Sequence, residues 1–190
     1  MILLTGFKPF STFKKNPSGE IAKLLDGSYF KGEEVRGLEL DVTHEAIDNY
    51  LEELKNEYSV IINTGLAAGR SYISVEVIAV NWQGSEKDEN NFTPQEGKII
   101  DNGPDGIFST IPVREVLHTL RSSKIPSRLS FTAGTFLCNK IFYYSLYHSK
   151  AKVGFIHLPA TDDISVTGEY PTLEIEKMIK SVELTIQKTL

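Results

Sequence analysis

Arg128 to Pro159 reads RLSFTAGTFLCNKIFYYSLYHSKAKVGFIHLP, and the way its pattern changes along the chain decides the fold class. Arg128 to Thr132 has the length and composition of a strand. Ala133-Gly134-Thr135-Phe136 reads as a loop, Leu137 to His148 as a helix, and Val153 to Pro159 as a second apolar strand closed by proline. A strand, a helix and a strand in succession is the building unit of an α/β domain. The spacing predicts that the second strand returns beside the first, with the helix as the crossover.

The same alternation extends to both ends of the chain, without an internal repeat. Ile2 to Thr5 reads as a first strand, and Asn16-Pro17-Ser18 opens a helix to about Asp26, with Pro17 tolerated in the first turn. Val35 to Val42 is a second strand, and Thr43 caps a helix whose apolar positions are Ile47, Leu51 and Leu54. Ser59 to Thr64 is a central strand running into the turn Gly65 to Arg70, and Ile73 to Val80 is read as one further strand. Trp82 to Gly106 is a long polar excursion with one short strand at Lys98-Ile99-Ile100, and excursions of that length often cover a site or form an interface. Ile111-Pro112 opens another helix, and a terminal helix runs from about Leu173 to Lys188. A largely parallel sheet follows from this order.

The 190 residues, 41% hydrophobic and 24% charged, suit a single domain of residues 1–190 with one core. A formal charge of -5 and scattered lysines leave no footprint for nucleic acid. The apolar opening Met1 to Leu4 is cut by Thr5-Gly6-Phe7-Lys8-Pro9 before a signal core or membrane span forms. With one cysteine, and therefore no intrachain disulfide, the expectation is a cytoplasmic protein that binds neither nucleic acid nor membrane.

That cysteine, Cys138, sits where a loop turns into a helix. The positive end of a helix dipole lowers a thiol pKa and so suits a nucleophile, although free cysteines are commonly buried filler. A cysteine nucleophile needs a base near neutral pKa. Of the four histidines, His44, His118 and His148 read as surface or helix-end residues, whereas His157 ends a core strand, the edge where parallel sheets gather catalytic groups. Glu76, flanked by apolar residues, is the candidate to orient the imidazole; facing solvent, or pairing with Arg70, is the alternative. Gly134 and the free N–H groups of the helix start offer an oxyanion site. The turn Gly65 to Arg70 lacks a phosphate-binding pattern, and no Cys or His cluster has metal spacing, so no cofactor or metal is expected.

Five ordered blocks resemble the pyroglutamyl peptidases, also called pyrrolidone-carboxylate peptidases. They are Leu3 to Phe10 with Asn16-Pro17-Ser18, the turn Gly65 to Arg70, Glu76 to Asn81, Ala133 to Asn139, and Gly154 to Pro159. The resemblance implies a single three-layer α/β/α domain with a mostly parallel twisted central sheet. It also implies a cysteine peptidase that removes N-terminal pyroglutamyl residues from peptides through a thioacyl enzyme, without a cofactor and as a homo-oligomer, dimer or tetramer. In this reading Cys138 is the nucleophile, His157 the general base and acid, and Glu76 its orienter. Phe10 and Phe13 match aromatics that hold the flat lactam, with Asn16, Leu66, Phe136 and Leu137 at neighbouring pocket positions. Because position 66 is Leu, backbone groups are expected to bond the lactam. The chain departs from the family where Val77 replaces an arginine and where Gly84 to Asp88 carries none. The alternatives are a catalytically silent pyroglutamate-binding homologue and another cysteine amide hydrolase on the same scaffold.

Overall fold

Three runs buried along nearly their whole length form the middle of the sheet: β1 (Ile2–Phe7), β4 (Val60–Leu66) and β9 (Lys152–Leu158). They are apolar on both faces because helices cover both faces. In the computed structural model, which describes residues 1–190, these strands join β2 (Tyr29–Phe30), β3 (Glu33–Leu40), β5 (Ile73–Glu76) and β8 (Ser127–Ser130) in one seven-stranded sheet ordered β2-β3-β1-β4-β9-β5-β8. Neighbours are parallel except at β2–β3 and β5–β9.

Alternation along the strands feeds two cores. Ile2, Leu4, Ile62 and Ile156 face α1 (Pro17–Leu25), α3 (Val113–Ser122) and α5 (Ile175–Thr189). Leu3, Ile61 and Phe155 face α2 (His44–Glu53) and α4 (Leu137–His148), completing a three-layer α/β/α domain. Each such fully buried aliphatic side chain contributes about 1.5–3 kcal/mol. The helix starts are chemically specified: Asn16 accepts from Ser18 N–H, and Thr43 from Ala46 N–H. No helix is long and apolar enough to cross a membrane.

Two expectations are overturned. β9 does not return beside β8, because β5 lies between them, parallel to β8 and antiparallel to β9. The 12-residue α4 spans about 18 Å, long enough to pass over the intervening strand, since two strand spacings come to about 10 Å. The run Ile73 to Val80 is also not one strand. It breaks at Val77, whose N–H bonds Ser130 and whose carbonyl accepts from Ser109, and the chain leaves the main sheet. β6 (Ile78–Val80) then pairs with β7 (Gly106–Phe108) in a separate two-stranded sheet. The break shifts the side-chain phase, so Val75 joins the α1/α3/α5 core and Ala79 the opposite one.

The strand expected at Lys98–Ile100 is absent. Gly97 forms a single bridge with Gln83, and the Ile100 N–H is taken by the Asn81 side chain instead of by a neighbouring strand.

Candidate active site

The sheet brings four chain segments together at the C-terminal ends of β4 and β9. His157 is the penultimate residue of β9 and lies opposite Gly65 in the β4–β9 ladder. Glu76 ends β5, whose antiparallel pairing sets Ser74 opposite His157 and Glu76 opposite Phe155. Because His157 shares a face with Phe155, and Glu76 points away from the Ile73/Val75 core, both side chains lie on the side covered by α4. α4 supplies Cys138 in its first turn.

Glu76 is fully buried, at 0% exposure. A carboxylate there carries a desolvation cost of several kcal/mol unless it is partnered. Its Oε1 meets His157 Nδ1 at 2.8 Å and accepts from the Arg70 guanidinium at 3.0 Å, while Oε2 has no partner. The two readings of Glu76 open in the sequence therefore hold at once: it contacts the histidine and it pairs with Arg70. With Nδ1–H donated to the carboxylate, His157 Nε2 keeps its lone pair free.

Sγ of Cys138 and the His157 ring converge on the space above Gly65. A side-chain carbon at Gly65 would lie 2.8 Å from Sγ and 3.6 Å from Cδ2 of His157, the ring carbon next to Nε2. Gly65 thus serves by having no side chain. No hydrogen bond joins Sγ to the imidazole, a looseness common in resting sites. Cys138 retains partial exposure as a residue, yet its sulfur lies close to Gly65 and among Phe155 and His157. Burial pushes the thiol up to about 12; the Glu76 carboxylate adds to the rise and Arg70 opposes it. Desolvation therefore works against the lowering expected at a helix start. The loop before it turns through Gly134, whose φ of +83° lies in the left-handed region that favours glycine. The N–H groups of the first helical turn have no intrahelical acceptor.

The loop after β1 carries the aromatic candidates. Phe10 and Phe13 meet edge to face with centroids 5.4 Å apart, and Phe13 meets Tyr170 at 5.5 Å. Thr12 to Lys15 face Asp163 to Tyr170 across a cleft of about 420 Å³. Asn16 is buried with its side chain committed to helix capping: it accepts from Ser18 and donates to the Lys8 carbonyl. Leu137 is also buried, whereas Leu66 and Phe136 are partly exposed. Phe136 caps α4 and meets the His44 ring edge-on at 6.0 Å. His44 is itself buried rather than a surface residue, since the long excursion packs Phe92 against it.

Two supporting residues escaped the sequence reading. Asn139, next to the cysteine and fully buried, bonds the Val80 N–H and the carbonyls of Val80 and Trp82, tying α4 to the chain that leaves Glu76. Asp88 accepts the backbone N–H groups of His44, Asn90 and Phe92, fastening the excursion to the start of α2. An Asn directly after Cys138 was visible in the sequence, but nothing local marked its partners. No group of three or more His, Cys, Asp or Glu side chains is arranged to hold a metal.

Comparison with known proteins covers the whole chain or nearly all of it. The profile of the pyroglutamyl peptidase family matches residues 1–190. A pyrrolidone-carboxylate peptidase of Oceanobacillus iheyensis is 37% identical over 192 residues, covering 97% of this chain and 96% of the relative. The solved pyrrolidone carboxyl peptidase of Thermococcus litoralis superposes with a TM-score of 0.91 at 37% identity, covering 99% of this chain and 92% of its own. That of Thermus thermophilus gives 0.93 at 33% identity, covering 99% and 100%. A match across the full length and a shared fold lead to one conclusion: this chain belongs to the pyroglutamyl peptidase family.

Proposed function

We propose that this protein hydrolyses the N-terminal pyroglutamyl residue from peptides, with Cys138, His157 and Glu76 as its catalytic residues. The observation that carries this reading is the 2.8 Å contact of His157 Nδ1 with the buried Glu76, which leaves Nε2 free, together with the approach of Cys138 Sγ and the His157 ring to the same space above Gly65.

The chemistry follows from the protonation states. As substrate enters, His157 Nε2 takes the thiol proton while Sγ attacks the pyroglutamyl carbonyl carbon. The negative charge passes to the carbonyl oxygen, where N–H groups at the start of α4 stabilise it. Glu76 stabilises the imidazolium that has formed. The carbon–nitrogen bond breaks, His157 returns its proton to the leaving amine, and a thioester remains on Cys138. A water then gives a proton to Nε2 and attacks the thioester; free pyroglutamate leaves and the thiol is restored.

Phe10 and Phe13 would hold the flat lactam, and Leu66, Phe136 and Leu137 would line its surroundings. Asn16 would act on the pocket through the Lys8 to Asn16 loop, its polar atoms being engaged in that loop and in α1. A pyroglutamyl amide bearing a fluorogenic amine tests the reading. Wild type releases the amine, and Cys138→Ser lowers kcat/KM by about 10⁴-fold or more with an unchanged fold. Binding of pyroglutamate by calorimetry without turnover would establish instead a silent homologue, and release only from other N-blocked amides a different hydrolase.

We also propose a cytoplasmic homo-oligomer, dimer or tetramer. Phe108 and Phe131, 65% and 66% exposed, flank the Val77 break, and self-association would cover them. Light scattering on the purified protein decides the assembly.

A further inference from the structure

The catalytic carboxylate has an unusual division of labour between its oxygens. Oε1 carries both His157 and Arg70, while Oε2, equally buried, carries nothing. Arg70 comes from the turn after β4, and its side chain is 28% exposed against 0% for Glu76. The groups around this centre are few. β9 presents His157, α4 presents Cys138 and the turn presents Arg70; from β8 the residue opposite Glu76 is Ser130, and Arg128 on that strand lies over the Tyr72 ring at 4.5 Å. Arg70 is thus the permanent cation on the buried carboxylate.

The geometry points to Arg70 as a positioning residue of the hydrolytic site, holding Glu76 in place and aimed at His157 through the oxygen that the two share. This rests on the function proposed above. Without the guanidinium, a carboxylate with no exposure would retain only an imidazole that is neutral for part of the cycle. The same positive charge also acts at the sulfur, where Arg70 counters the rise that burial and Glu76 impose on the thiol. Without that charge nothing opposes the rise of the Cys138 thiol, so the deprotonated sulfur is harder to reach and activity that depends on it sets in at higher pH. One guanidinium nitrogen makes the contact, so a lysine ammonium preserves the essential feature, a positive charge.

The test compares wild type, Arg70→Met, Arg70→Gln and Arg70→Lys, all checked for folding by circular dichroism. In Arg70→Met, kcat/KM on the pyroglutamyl amide falls about 10–100-fold at neutral pH, chiefly through kcat, and its acid limb moves up by about one pH unit. Alkylation of Cys138 by iodoacetamide, which needs no peptidase turnover, slows about 3–10-fold at pH 8–9. Arg70→Lys recovers at least half of both shifts. Should Arg70→Met not fold, Arg70→Gln takes its place in the comparison. Unmoved pH limbs and alkylation rates in the neutral variants, or an Arg70→Lys enzyme no better than they are, overturn the proposal. If wild type fails to cleave the amide, the proposed function falls, and the alkylation series still decides whether Arg70 sets the charge of the site.

Discussion

The edge where β9, β5 and α4 meet and the excursion from Asn81 to Asp105 use buried polar groups for opposite purposes. At the sheet edge, polarity is left incomplete: Glu76 Oε2 has no partner, and Cys138 Sγ makes no hydrogen bond to His157. In the excursion, polarity is used up. Asn81 donates to the carbonyls of Ile100 and Gly103 and accepts from Ile100 N–H, and Asp88 accepts three backbone N–H groups. Unspent hydrogen-bonding capacity on a rigid sheet is what a reaction can draw on. Fully spent capacity holds 25 residues of mostly irregular chain in place without long strands or helices of its own. The two regions are joined by Asn139 and by the Gly84 N–H, which bonds the carbonyl of Thr135 in the cysteine loop.

The most severe test of this division is Glu76→Gln. It keeps the volume but removes the charge that fixes the His157 tautomer, so kcat falls by about 10³–10⁴-fold while the thermal midpoint stays within a few degrees. A loss below tenfold would deny the carboxylate its assigned role. Next in size is Gly65→Ala. The added carbon collides with Cys138 Sγ at 2.8 Å and with Phe155 at 3.1 Å, so kcat/KM drops about 10²-fold and stability by about 1–3 kcal/mol, measurable together by kinetics and urea titration. An active, undisturbed Gly65→Ala would mean that the thiol does not need the space above β4.

The smallest effect on turnover belongs to the excursion. Asp88→Ala releases the start of α2 and costs about 1–2 kcal/mol by urea unfolding, while kcat changes less than tenfold. If it lowered kcat as far as Glu76→Gln, the separation of chemistry from support would collapse. Asp88 also gives that separation a pH signature. Burial works against its charge, but the N–H groups of His44, Phe92 and Asn90 prevail and hold the carboxyl below its ordinary 3.8. A depressed folded-state pKa stabilises the fold above the unfolded value. The contribution of Asp88 is therefore full at neutral pH and disappears as pH falls below about 3.8 through the lower folded value; Asp88→Ala lacks this part of the acid dependence.

Legibility in the sequence followed the range of the interactions. Thr43 and Asn16 were recognisable as caps because their partners lie two or three residues away. The central strands stood out because burial on both faces leaves apolar runs. Val77 carries no local sign of a break: the bonds that stop β5 there come from Ser130 and Ser109, more than 30 residues further on. The Lys98–Ile100 expectation failed for a similar reason, since a short apolar run is extended by pattern alone but becomes a strand only with a neighbour, and Asn81 took the N–H a neighbour would have used. Arg70 appeared in the sequence only as a rival partner for Glu76, because a list of residues cannot reveal that one carboxylate oxygen serves two donors.

By itself, then, the sequence determined the α/β class, the helix starts and the family. These depend on periodicity, capping and ordered motifs, all written along the chain. Only the tertiary structure decided that β5 runs between β8 and β9, that Glu76 meets His157 and Arg70 together, that Gly65 makes room for the sulfur, and that burial pushes the thiol up despite its place at a helix start. Each of these depends on desolvation or contact among segments far apart in sequence, and both exist only once the sheet has assembled.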